Sequence, residues 1–150
     1  MQKIPFEVIS LQADGFHIIT EAELLGKKFK MVIDTGASKT VLDKTTLLQA
    51  GISEDNLEIT DVLSTGLGTN TMESFFLTIP DLKLADWHGK RIHVAVLDLS
   101  SINYAYQQIG LEPVIGVLGG DILQKYGAII DYKRQIIQLN QRKFTLNKRR

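Results

Sequence analysis

Asp34-Thr35-Gly36-Ala37-Ser38 is the stretch of this 150-residue chain whose residue types and spacing best suit chemistry. Asp34 comes directly out of an apolar run that contains Phe29, Met31, Val32 and Ile33. A strand of that composition is expected to be largely buried, which would put the carboxylate in a partly dry setting. There an unpaired charge is costly, so the carboxyl must find partners or titrate higher than usual. Gly36 permits a sharp turn and close approach by another chain. Thr35 and Ser38 supply hydroxyls that can bond backbone or carboxylate. The triplet by itself is weak evidence, because Asp-x-Gly also closes ordinary turns. The longer pattern is more specific. Thr40-Val41-Leu42 follows the motif, and a second element, Leu118-Gly119-Gly120-Asp121-Ile122-Leu123, comes much later in the chain.

Other candidates for chemistry are weaker. His17, His88 and His93 are too dispersed for a metal motif, and no zinc spacing fits them. Gly66-Leu67-Gly68 lacks the Gly-Lys-Ser/Thr ending of a phosphate loop and the third glycine of a dinucleotide loop. Asp121 is expected to cap a helix, and Asp131 to lie in a turn or on the surface. No metal site and no cofactor are expected.

The elements around the motif read mostly as strands. Ile4, Phe6 and Val8 alternate with polar residues, as do Phe16 and Ile18, and Asp14-Gly15 between them suggests a hairpin turn. A second pair is expected from Ala22 to Leu25 and from Phe29 to Asp34, turning at Gly26-Lys27. Asp43 suits the N-cap of a short helix through Leu47 and Leu48, stopped by Gly51. Residues 61–72 are rich in Ser, Thr, Gly and Asn and read as a hairpin tip or loop. Strand-like runs return at Phe75 to Ile79 and Arg91 to Leu97. Ser100 to Pro113, with Tyr104, Tyr106 and Ile109, fits either helix or loop. Ile122 to Tyr126 reads as one or two helical turns ended by Gly127. A closing hairpin is expected from Ala128 to Leu139 around Lys133-Arg134. No repeat or linker interrupts the chain, so one mostly-β domain over residues 1–150 is expected.

Composition narrows the class. Lys+Arg and Asp+Glu are both 17, so there is no basic excess of the kind nucleic-acid binders show. Apolar residues are 44 % and charged residues 23 %, an ordinary globular balance. The chain has no cysteine, which removes disulfides and thiolate chemistry and fits a reducing cytosol. No apolar run reaches the roughly 20 residues of a membrane span. The N-terminus shows no long apolar signal core.

Taken together, these residues resemble the retropepsin-like aspartic peptidases, the family of retroviral proteases and pepsins. The likeness runs from about Leu25 to Leu139 and rests on the Asp34-Thr35-Gly36-Ala37 motif, the Gly-rich segment after it, and Leu118-Gly119-x-Asp121-x-Leu123 before a short helix. It implies a closed acid-protease barrel with one or two short helices. It makes Asp34 the catalytic aspartate. Thr35 would grip the opposite active-site loop across a dimer axis, and Gly36 would keep the loop close to substrate. Ala37 and Ser38, with Thr65, Gly66, Leu67 and Gly68 of a flap around Leu63 to Met72, would hold an extended peptide. Gly119 would pack behind the catalytic loop.

The family's chemistry needs two carboxylates, and the sequence has one such motif, so the resemblance implies a homodimer. Two carboxyls ~3 Å apart share one proton, so one acts as base and the other as acid. The chain departs from the retroviral pattern in having Ser38 and Gly120 where an Asp–Arg pair is usual. Both partners are missing together, which leaves no lone buried charge. Ala37 replaces the serine of pepsins, which implies a dyad harder to ionise and a mildly acidic optimum. Two rival readings use the same residues. One is a peptide-binding or dimerisation module without catalysis, and the other a small barrel that carries a ligand.

Overall fold

Alternating apolar and polar side chains along Phe16–Leu24 and Lys27–Ile33 dictate two strands with one dry face, and the fold is built outward from that pair. The computed structural model describes residues 1–12, 15–59 and 74–142. Strands β1 (Gln2–Pro5) and β2 (Glu7–Ser10) precede the pair, which forms β3 (Phe16–Leu24) and β4 (Lys27–Ile33). Ile18, Ala22 and Leu24 of β3 and Met31 and Ile33 of β4 are buried in the main core. Leu25 and Gly26 join the two strands, both at positive φ (55° and 73°), as a two-residue hairpin requires. The turn therefore lies one residue before the expected Gly26-Lys27, because Lys27 already pairs with Leu24.

Asp34 leaves β4, and the chain returns as β5 (Val41–Asp43) and helix α1 (Lys44–Gln49). Asp43 is the N-cap of α1, as expected, and accepts from the Thr46 N–H at 3.1 Å. A 3-10 turn (Glu54–Asn56) leads to β6 (Glu58–Ile59). The strand-like runs near residues 75 and 91 prove to be one long hairpin, β7 (Phe75–Leu84) and β8 (Trp87–Leu97). The undecided Ser100 segment forms helix α2 (Ser100–Gln108). Then come β9 (Gly116–Leu118), helix α3 (Gly120–Lys125) and the closing hairpin β10 (Ile129–Asp131) and β11 (Ile136–Leu139).

Strands β3, β4, β9, β5, β8 and β7 follow one another in the sheet, and a β3–β7 pairing at Glu23 and Lys83 closes the ring. The closed, mostly-β barrel agrees with expectation. The described residues hold three short α-helices rather than one or two, the additional one being α2. The N-terminal alternation also divides. Phe6 separates β1, which pairs with β11 in a three-stranded sheet ordered β1-β11-β10, from β2, which extends the barrel sheet beside β3. Asp14, the residues 61–73 and the apolar Phe144-Thr145-Leu146 lie outside the described residues.

Among the described residues no helix is long and apolar enough to cross a membrane.

Candidate active site

Strand β9 sits between β4 and β5, parallel to the first and antiparallel to the second. Close approach is possible because β9 begins with glycine. A Cβ on Gly116 would lie 2.1 Å from the Val41 carbonyl oxygen. The crossing brings the two motif segments together although they are distant in sequence. The Asp34 N–H donates to the Leu118 carbonyl at 3.0 Å, which carries the parallel β4–β9 ladder up to the aspartate.

Beyond that bond the chain turns tightly. The Gly36 N–H donates to Asp34 Oδ1 at 2.8 Å, and the Ala37 N–H donates to the Asp34 carbonyl at 3.2 Å. Asp34, Thr35 and Gly36 are exposed. The partly dry setting expected for Asp34 is therefore absent within a single chain. The buried strand ends at the rim of the barrel, and the carboxylate projects past it. The hydroxyls of Thr35 and Ser38 make no hydrogen bond among the described residues.

The base of this loop is built differently. Thr40 is fully buried, and its hydroxyl accepts from the Gly119 N–H (3.0 Å) and donates to Asp121 Oδ1 (2.8 Å). The same carboxylate oxygen accepts from the Thr40 N–H and the Ile122 N–H, each at 2.9 Å. The Gly120 N–H donates to the Ala37 carbonyl at 2.6 Å. Gly119 lies so close behind the loop that a Cβ there would meet the Lys39 carbonyl carbon and oxygen at 2.7 Å. Gly119 thus packs where the resemblance implied.

Asp121 differs from expectation. Gly119 occupies the N-cap of α3, and Asp121 stands in the helix's first turn, where it complements the positive helix end while bonding Thr40. Thr40 and Asp121 both stand in the sequence pattern, and what sequence reasoning missed is that they bond each other. The available signal was a threonine next to an apolar strand and an acid beside a second glycine motif, but their pairing depends on the strand crossing.

Two further groups border the loop. The Lys39 ammonium lies over the Phe76 ring at 5.7 Å. The Tyr106 hydroxyl of α2 bonds His17 Nδ1 at 2.6 Å, and burial holds that phenol above its ordinary pKa. Thr65, Gly66, Leu67 and Gly68 lie outside the described residues. No group of three His, Asp or Glu side chains that could hold a metal occurs among the described residues.

A family model described as aspartyl protease matches residues 20–122. The solved retroviral protease-like domain of Ddi1 from Leishmania major is similar in fold, with TM-score 0.59 and 15 % identity over 81 % of this chain and 86 % of that one. A retropepsin-like aspartic protease from Rickettsia conorii gives 0.53 and 22 % identity, covering 92 % and 91 %. EIAV protease in complex with the inhibitor HBY-793 gives 0.50 and 20 % identity, covering 77 % and 92 %. No curated protein sequence matches the chain.

Proposed function

The chain belongs to the aspartyl protease family, and from that premise we propose that it is an aspartic endopeptidase in which two copies pair their Asp34 carboxylates. The observation that carries the proposal is the exposed Asp34-Thr35-Gly36 turn, mounted on a buried and fully bonded base. A structural carboxylate would be expected to bond inward. This one is exposed, and among the described residues its second oxygen has no hydrogen-bond partner.

In the proposed dimer the two carboxyls share a proton. The ionised one takes a proton from water, which attacks the peptide carbonyl carbon. The protonated one gives its proton to the carbonyl oxygen. The tetrahedral species then collapses with protonation of the leaving nitrogen, and no covalent enzyme intermediate forms. The Gly36 N–H holds one Asp34 oxygen in place. A second copy would also supply the dry setting that a single chain lacks, and the pair would titrate as a unit.

Two features support pairing. Extending the β3–β4 register beyond Ile18 and Ile33 places Phe16 level with Thr35. Phe16 is 70 % exposed, a large apolar side chain beside an open loop. Strands β1 and β10 are also the outer members of their three-stranded sheet, and Ile129 and Tyr132 are exposed there. Among the described residues these edges are unpaired, and edges of this kind accept strands from another chain. The substrate would lie extended across Ala37 and Ser38. The β6–β7 pairing supports assigning the cover to Thr65, Gly66, Leu67 and Gly68, which connect those strands.

Sedimentation over a concentration series, with hydrolysis of a mixed peptide pool, tests the proposal. The expected result is a dimer that cleaves peptides and an Asp34→Asn dimer that binds them without turnover. A strict monomer, or equal turnover by Asp34→Asn, would sink it. Peptide binding without turnover by the unaltered chain would favour the binding-module reading.

A further inference from the structure

Helix α2 takes no part in the mechanism above, yet it is pinned at three points. The Leu99 N–H at its start donates to the buried Asp43 carboxylate at 2.8 Å. The Asn103 side chain accepts from the Val114 N–H (2.8 Å) and donates to the Val114 carbonyl (3.0 Å). Tyr106, near the helix end, is buried with Ile19, Val32 and Val114, and its hydroxyl reaches His17. So firm an attachment fixes the His17 ring.

The location of His17 follows from strand geometry. Ile19 pairs with Val32 and Ile18 with Ile33, so the next step toward the barrel rim puts His17 level with Asp34. Alternate residues share a face, so His17, Ile19, Val32 and Asp34 belong to one side of the sheet. Val117 pairs with Val32 and extends that apolar side. His17 is half-buried, and among the described residues its Nε2 makes no hydrogen bond.

The direction of the His17–Tyr106 bond sets what Nε2 offers. Burial favours a phenol that keeps its proton and places it on an acceptor, and among the described residues His17 Nδ1 is the partner of the Tyr106 hydroxyl. With Nδ1 accepting, the neutral ring carries its own proton on Nε2. We propose that His17 is a specificity-determining residue, that Tyr106 is its positioning residue, and that the Nε2–H recognises an acceptor-bearing side chain, Glu or Gln, next to the scissile bond. The stem of such a side chain would lie along the partly buried Val117. The assignment rests on the peptide-cleft reading of the site.

The test uses matched peptides that differ only beside the scissile bond, with Glu, Gln, Leu or Lys there. Turnover is measured with the full chain, and binding is measured by calorimetry with Asp34→Asn. The unaltered protein should favour Glu and Gln over Lys in kcat/KM, and His17→Ala should reduce that ratio by about tenfold, the effect of one lost hydrogen bond to a charged group. His17→Gln, whose amide N–H can stand near the Nε2 position, should restore much of it. Tyr106→Phe should blur the ratio by about threefold, because the ring is then free to turn. A His17→Ala ratio equal to that of the unaltered protein would overturn the inference, as would a preference for Lys. Peptide selection in the Asp34→Asn binding assay, without turnover by the unaltered chain, would remove the peptidase reading and keep His17. Peptides neither bound nor cleaved would remove both.

Discussion

Asp34 and Thr40 stand on one loop and meet opposite physical conditions. Asp34, Thr35 and Gly36 are open to solvent, and among the described residues the Asp34 carboxylate has one donor, the Gly36 N–H. Thr40 is fully buried, with its N–H and hydroxyl both committed to Asp121 and its oxygen accepting from Gly119. Among the described residues the tip keeps hydrogen-bonding capacity to spare. The base is satisfied so thoroughly that it leaves little room for movement. This division suits the role proposed for Asp34, because a side chain free to react must be aimed by neighbours that are not.

The comparison can be broken at the tip first. Asp34→Asn should lower peptide turnover by about 10³-fold or more, the scale of losing an acid–base group, while the thermal midpoint stays close to that of the unaltered chain. A large fall in the midpoint would show that Asp34 belongs to the structural base after all. At the base the expected effects are reversed. Gly119→Ala pushes a methyl group into the Lys39 backbone, which cannot swing aside as a side chain could. It should destabilise the fold by about 1–3 kcal/mol, read from the shift of a urea midpoint at unchanged slope.

Thr40→Val keeps the shape but removes the hydroxyl, leaving the Gly119 N–H without its acceptor. A loss of about 1–3 kcal/mol is expected in the same urea experiment. Asp121→Asn retains an oxygen acceptor for Thr40 and Ile122 but gives up the charge, so a smaller loss of about 1 kcal/mol is expected. Equal effects from these two variants would mean that the charge matters as much as the connection.

The weakest effect concerns the α2 side of the loop. Tyr106 has its pKa raised by burial, so the unfolded chain ionises first as pH rises. The stability that Tyr106 contributes is intact below the ordinary phenol pKa of about 10 and declines as pH climbs toward the higher folded value. Alkaline unfolding should therefore be less steep in Tyr106→Phe, checked by urea midpoints at a series of pH values.

Much of this arrangement was legible in the residues. The apolar strand into Asp34, the Asp43 cap and the closing hairpin follow from local alternation and capping chemistry. The Asp34-Thr35-Gly36 motif is contiguous, so its identity needed no fold. The turn at Leu25-Gly26 was misplaced by a residue because Gly26 and Lys27 both suit a turn, and only pairing with β3 decides between them. Helix α2 was undecidable because its three anchors, Asp43, Val114 and His17, all lie outside it.

The sequence by itself determined what the chain could do at Asp34 and that a single copy holds one such aspartate. Both follow from a short run of residues whose chemistry does not depend on distant neighbours. The tertiary structure alone decided that Asp34 is exposed, that Thr40 and Asp121 meet, and that His17 stands level with the aspartate. Each of those depends on strand order and register. In a barrel, a parallel crossing joins segments far apart in the chain, and only the pleat sets which side chains share a face.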